Sequence, residues 1–163
     1  MKLYFMPGAC SLAPHIALRE AGLEFRLIKV DYKSRRTEEG DDFRQINPKG
    51  YVPALELKEG QLLTEVPVIL QYIDMIRPEA RLLPDAALER LRALEWLNYI
   101  ATEVHKSFSP LFRPKTPEAF LSPGRAHLSL RLNVIERHLQ QQIPDGPSLF
   151  AERRLSVYRL PLA

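Results

Sequence analysis

Asn47-Pro48-Lys49-Gly50-Tyr51-Val52-Pro53-Ala54-Leu55 is the stretch on which the reading of this chain turns, together with Pro7-Gly8-Ala9-Cys10-Ser11 some forty residues earlier. Asn47-Pro48 and Lys49-Gly50 are turn signals, and Val52-Pro53 opens a β-prone run. An X-Pro bond adopts the cis form at low cost. If cis, Val52 turns its N–H and C=O outward, unpaired by the sheet and open to an extended peptide. If trans, Pro53 is only a proline at a strand entry. Cys10 has a similar choice. A thiol at a helix N-terminus is expected to have its pKa lowered by the backbone N–H groups and the dipole. The alternative is a buried structural cysteine. Ser11 is a candidate cap for the helix that follows. No second cysteine lies two residues on, which argues against a self-contained dithiol oxidoreductase.

The surrounding pattern is of alternating strands and helices. Leu3–Phe5 is a short apolar run stopped by Pro7-Gly8, hence a strand. Leu12, His15, Ile16 and Arg19 have helical spacing, and Gly22 is placed to end that helix. Phe25, Leu27 and Ile28–Val30 form a second strand. The polar stretch from Asp31 to Asp42 is expected to be a surface loop or a frayed helix. Val52–Leu57 and Gln61–Leu63 flank Glu59-Gly60 as a hairpin, and Val68, Ile69, Tyr72, Ile73 and Ile76 mark an amphipathic helix.

Beyond Arg77-Pro78 the chain changes character. Leu82-Leu83-Pro84-Asp85 resembles a linker. Leu91, Leu94, Leu97, Ala101, Val104 and Phe108 predict a long helix of about 25 residues. Thr116-Pro117-Glu118 starts another, carrying Leu128, Leu132, Ile135 and Leu139 and ended by Pro144-Asp145-Gly146. The expected organisation is an α/β domain over 1–77, a linker over 78–86 and an all-α domain over 87–163. The order of elements in the first half, with a thiol before its first helix and a Val-Pro turn beside it, predicts a thioredoxin-like fold.

Composition bounds the function. The 163 residues, 45% hydrophobic and 26% charged, are ordinary for a globular chain with a real core. A net charge of +3 from 23 basic and 20 acidic residues, without a basic stripe, argues against nucleic-acid binding. No apolar run reaches the length of a membrane span. One cysteine excludes an internal disulfide and a multi-cysteine metal site, so the cytoplasm is the expected compartment.

Two further positions carry chemistry. Glu65, at the start of the helix after the hairpin, can cap that helix or bind a ligand amine, and N–H groups beside it can receive a carboxylate. His105-Lys106 either faces a cleft and stabilises a thiolate electrostatically or belongs to a solvated helix face.

These segments resemble the bacterial, cysteine-bearing (beta-class) glutathione transferases. They are Pro7–Ala13, Asn47–Leu55, Leu62-Leu63-Thr64-Glu65 and Glu95–Lys106, and the resemblance runs from Met1 to about Ser156. It implies a thioredoxin-like glutathione-binding domain, a helical domain for a small electrophilic substrate, and a homodimer. It places Cys10 against the glutathione sulfur, where a mixed disulfide can form, and has Val52, ahead of Pro53, pair its backbone with the cysteinyl residue. Glu65 and the N–H of Val66 would hold the γ-glutamyl end. Arg35 stands where the family often has a lysine reaching the glycine carboxylate. His105 and Lys106 would line the cleft near the thiol, and Asn98, Thr102 and Glu103 would reach the ligand in the other subunit. Glutathione is the implied co-substrate, and the implied reaction is attack of its thiolate on an electrophile, without a metal. A glutathione-binding module without catalysis and a thiol reductase acting through Cys10 are the alternatives.

Two departures qualify the resemblance. Val66-Pro67 follows Glu65 where the family has a small residue. Val66 offers no hydroxyl, and Pro67 disfavours helical geometry at Val66, so glutathione binding is expected to be weaker by about 1.5–3 kcal/mol. Phe150–Val157 resembles the approach to a central helix, but no Asp follows Ser156 at the cap position and Leu160-Pro161-Leu162-Ala163 closes the sequence. The expectation is a helical domain lacking its last helices, through truncation or a frameshift, with an apolar face left uncovered.

Overall fold

The computed structural model describes residues 1–58, 60–113 and 115–142. It divides into two units, Met1–Asp85 and a helical unit starting at Ala86. In the first, β1 (Lys2–Phe5), α1 (Leu12–Glu20) and β2 (Arg26–Lys29) are followed by a one-turn α2 (Phe43–Ile46), the hairpin strands β3 (Ala54–Glu56) and β4 (Leu62–Thr64), and α3 (Val66–Ile76). The sheet order is β2-β1-β3-β4. β1 and β2 are parallel, Leu3 opposite Leu27, and β3 runs antiparallel to both β1 and β4. This is a thioredoxin-like mixed sheet.

The period-2 alternation of strands sorts the core. Tyr4, Ile28 and Ala54 cluster with Met6, Val30, Phe43 and Val52, and the Tyr4 and Phe43 rings lie 5.5 Å apart. Leu3 and Leu55, fully buried, alternate to the opposite face. There α1, through Ala13, Ala17 and Leu18, and α3, through Ile69, Leu70 and Ile73, bury apolar sides, and the two helices pack on each other. α1 ends as its sequence predicts. Gly22 has φ +62°, and the N–H groups of Gly22 and Leu23 close on the carbonyls of Arg19 and Leu18, satisfying two of the last-turn carbonyls.

The polar stretch after β2 is a loop with isolated bridges, Val30 to Thr37 and Arg36 to Asp42. Asp42 accepts the Arg44 N–H and caps α2, a helix too short for periodicity to reveal. Leu82 and Leu83 are buried, and the buried Asp74 carboxylate accepts the Leu83 N–H at 2.8 Å.

A part-buried side-chain network ties β1 to β3. The Tyr4 hydroxyl donates to Glu56 Oε2 at 2.7 Å, and Lys2 Nζ lies 3.0 Å from Glu56 Oε1. The Tyr4 bond, then Lys2, holds the Glu56 carboxyl below its usual range, while burial and Glu56 push the Tyr4 phenol up. A carboxyl depressed in the folded state stabilises the fold above its unfolded pKa, about 4.3, and that contribution disappears as pH falls through the folded value. Tyr4→Phe is therefore expected to cost about 1.5 kcal/mol at neutral pH. Urea unfolding of both proteins from about pH 7 down to about pH 3 checks this: the gap should close at the acid end, and a gap independent of pH would refute the assignment.

In the helical unit, α4 (Ala87–Tyr99) runs into a π turn (Ile100–Val104), a 3-10 turn (Lys106–Phe108), α5 (Ser109–Phe112) and, further on, α6 (Glu118–Gln142). The expected long helix is thus interrupted. His105 N–H bonds the Ile100 carbonyl, five residues back, at 2.8 Å, and the extra residue in that turn moves the buried stripe. Leu97, Ile100 and Val104 are buried, not Ala101, and Leu91 is 62% exposed. On α6, Leu128 and Ile135 are buried, whereas Leu132 is exposed. Pro144-Asp145-Gly146 and the segment from Phe150 to Ala163 lie outside the described residues, as does Glu59 of the hairpin turn.

Candidate functional site

The turn Asn47–Pro53 is the hub of the first unit. The buried Asn47 side chain builds it: Nδ2 donates to the Tyr51 carbonyl at 2.8 Å and Oδ1 accepts the Lys49 N–H at 3.2 Å. Gly50 takes φ +70° and bonds the Asn47 carbonyl, a conformation a side chain would strain. The Val52–Pro53 bond is cis. Val52 precedes the ladder of β3, so its backbone is not consumed by the sheet.

Cys10 meets this turn. Its half-buried thiol donates to the Val52 carbonyl at 3.5 Å. The thiol lies two residues ahead of α1, and Ser11 occupies the cap position without capping. The buried Ser11 hydroxyl turns back to β1, accepting the Met6 N–H and donating to the Met6 carbonyl, both at 3.2 Å. This pair closes the loop Met6–Ser11 and fixes where Cys10 stands.

Arg35 arrives from the loop after β2 at φ +56°. Its guanidinium lies 4.8 Å above the Tyr32 ring and donates to the Gly50 carbonyl at 3.4 Å. Glu65 arrives from the end of β4. Its φ of +69° is a rare conformation for a residue with a side chain, of the kind that accumulates at ligand sites. It holds the N-cap position of α3 but makes no side-chain cap. Its carboxylate turns across to the hub, where Oε1 accepts the Tyr51 hydroxyl at 2.7 Å and Lys49 Nζ at 3.3 Å. Lys49 Nζ also reaches Thr64 Oγ1 at 2.8 Å.

Pro67 corrects one expectation. α3 begins at Val66, with Pro67 in its first turn, where a missing N–H removes no intrahelical bond. The helix start therefore survives Val66-Pro67. Val66 itself is buried, an apolar side chain where the resemblance implies a small residue.

The candidate residues of the helical unit lie along one helical path. Asn98, Thr102, His105 and Lys106 are exposed, and Glu103 is half-buried. Thr102 Oγ1 donates to the Asn98 carbonyl at 3.0 Å. Glu103 Oε2 pairs with Arg131 of α6 at 3.1 Å, and its carbonyl accepts the Ser107 hydroxyl. The π turn sets how these residues follow one another. Tyr51, Lys49 and Arg131 were not foreseen. For Tyr51, an aromatic inside an Asn-Pro-Lys-Gly turn was the available signal.

Among the described residues no cluster of His, Cys, Asp or Glu fits a metal ion, and no helix is long and apolar enough to cross a membrane.

Comparison with known proteins meets the same segments. Residues 8–76 match the family described as the N-terminal domain of glutathione S-transferase. The chain is 50% identical over 143 residues to glutathione S-transferase GstA of Escherichia coli O157:H7, covering 87% of this chain and 71% of that relative. The beta-class glutathione S-transferase of Sphingomonas chungbukensis superposes with a TM-score of 0.88 at 44% identity, over 96% of this chain and 80% of that one. A sphingomonad glutathione S-transferase complexed with glutathione gives 0.87 at 42% identity, with the same coverage. Identical to a known relative at half of 143 aligned positions, which span 71% of that relative, this chain belongs to the bacterial glutathione S-transferase family.

Proposed function

We propose that this glutathione S-transferase binds glutathione along the turn Asn47–Pro53 and conjugates its thiolate to small electrophiles. The observation that carries the reading is the convergence of Cys10, Arg35 and Glu65 on that one turn. Glutathione is an extended tripeptide with a carboxylate at one end, an ammonium and a carboxylate at the other, and a thiol between. The Val52 backbone, ahead of cis Pro53, takes the cysteinyl residue as a neighbouring strand would. Glu65 takes the γ-glutamyl ammonium, and the Val66 N–H at the start of α3 takes the adjacent carboxylate. Arg35 holds the glycine carboxylate. Cys10 lies against the ligand sulfur.

His105 and Lys106 stabilise the thiolate as cationic or hydrogen-bonding groups. Asn98, Thr102 and Glu103 serve the ligand of the other subunit in a cytoplasmic homodimer. Catalysis then consists of holding the sulfur as a thiolate and orienting it toward the electrophile. The reaction draws on side chains and glutathione, without a metal. The Cys10 contact with the Val52 carbonyl favours a second activity, reduction of mixed disulfides through Cys10, because on this reading the ligand sulfur lies beside that thiol.

Calorimetric titration with glutathione, followed by turnover of a dinitrophenyl halide, tests the reading. Saturable binding with turnover is expected. Binding without turnover would make the chain a binding module, and no binding would refute the site.

A further inference from the structure

Glu65 is not simply presented at the site; it is held there by a neighbour. Its side chain is about half exposed (48%), and a glutamate with that freedom samples several rotamers. The Tyr51 hydroxyl, 2.7 Å from Oε1, pins it, with the Lys49 ammonium on the same oxygen at 3.3 Å. Lys49 is itself anchored on Thr64. The backbone that carries the phenol is held in turn: the Tyr51 carbonyl accepts from Asn47 Nδ2 at 2.8 Å. The Glu65 bond also pushes the Tyr51 phenol up, so the hydroxyl remains a donor throughout the neutral range. The arrangement spans the ligand: Tyr51 adjoins the residue that pairs with the cysteinyl backbone, and its hydroxyl touches the residue that receives the ammonium.

We infer that Tyr51 is a positioning residue that pre-orients the Glu65 carboxylate for the γ-glutamyl ammonium, and so sets selectivity for ligands carrying that amine. This rests on the glutathione reading above. A carboxylate already ordered before binding spares the ligand the entropy of ordering it. The phenol bonds Glu65 Oε1, so an effect that passes through Glu65 depends on the ligand's ammonium being present.

The test compares wild type and Tyr51→Phe with two ligands: glutathione, and its deamino analogue with a glutaryl group in place of γ-glutamyl. Calorimetry reads both. Wild type should prefer glutathione. Tyr51→Phe should weaken glutathione about three- to tenfold while changing the analogue less than about twofold. With a dinitrophenyl halide the loss should appear as a raised KM for glutathione, and a kcat lowered as much as kcat/KM would overturn the inference. An equal loss for both ligands would show a merely structural role and overturn the inference. An unchanged glutathione affinity would overturn it too, while leaving glutathione binding intact. A wild-type protein that binds neither ligand would overturn the glutathione reading itself, and this inference with it.

Discussion

Glu65→Gln should weaken glutathione binding by about 10- to 100-fold while leaving the fold nearly untouched. The substitution keeps the length and planarity of the side chain and removes only its charge. A hydrogen bond to a charged group contributes about 1.5–3 kcal/mol, which corresponds to that range of affinity. A second effect has the same sign. Lys49 lies 3.3 Å from Oε1; with the carboxylate gone, its ammonium faces the ligand's ammonium without compensation, and like charges at such range repel. Stability responds to different terms. Lys49 and Glu65 are each about half exposed, and exposed ion pairs contribute about 0–1 kcal/mol. Gln tolerates φ +69° no worse than Glu does. The expected kinetic signature is a raised KM with kcat almost unchanged, since the proposed role of Glu65 is at the γ-glutamyl end of the ligand, away from the sulfur. Salt should weaken wild-type binding more than that of the variant, because screening acts only where the charge remains. A kcat loss equal to the loss in kcat/KM would place Glu65 in the chemical step instead.

How much of this was legible beforehand follows from the range of each interaction. The strand-helix-strand start was legible because its signals are local: the apolar run of β1, the helical spacing of α1, and Gly22 at its end. Cys10 and Val52-Pro53 stood out as residue types, but only the sheet brings them within 3.5 Å. α2 was invisible because four residues carry no period, and its start is set by Asp42, whose side chain accepts the Arg44 N–H. The π turn was hidden for the opposite reason. Stripes spaced by three and four fit Leu97, Ala101 and Val104 as well as the observed Leu97, Ile100 and Val104, and only the five-residue bond of His105 distinguishes them. Proline was misjudged at Val66 because a rule about helix interiors was applied to a first turn. For Glu65 the sequence leaves two roles open, cap or ligand group; in the structure it takes a positive φ, makes no side-chain cap and accepts the Tyr51 hydroxyl. That choice depends on a hydrogen bond across fourteen positions of sequence.

Cys10→Ala and Cys10→Ser together should separate the two activities proposed for this site. In disulfide reduction, the Cys10 thiolate attacks a mixed disulfide of glutathione. A bond forms between Cys10 Sγ and the glutathione sulfur, and the other thiol leaves as its thiolate. A second glutathione thiolate then attacks that bond, releasing Cys10 as thiolate and the two glutathiones as their disulfide. No other cysteine exists in the sequence to take this role, and neither alanine nor serine forms the intermediate. Both variants should lose reductase turnover by on the order of 10³-fold or more, as when a sole nucleophile is removed. Neither should gain a glutathionyl adduct by mass spectrometry. Conjugation obeys a different logic, because the attacking sulfur there belongs to glutathione and Cys10 supplies at most a hydrogen bond to it. Serine keeps a donor at that position, so Cys10→Ser should retain conjugation within about tenfold, with Cys10→Ala lower. The fold should be indifferent: the thiol's contact with Val52 is a long sulfur bond of 3.5 Å, and the Ser11–Met6 pair holds the loop without it. If both variants lost conjugation as completely as reduction, Cys10 would be essential to both reactions and the glutathione thiolate could not be activated without it. If both kept reductase turnover, the chemistry would not pass through this thiol at all.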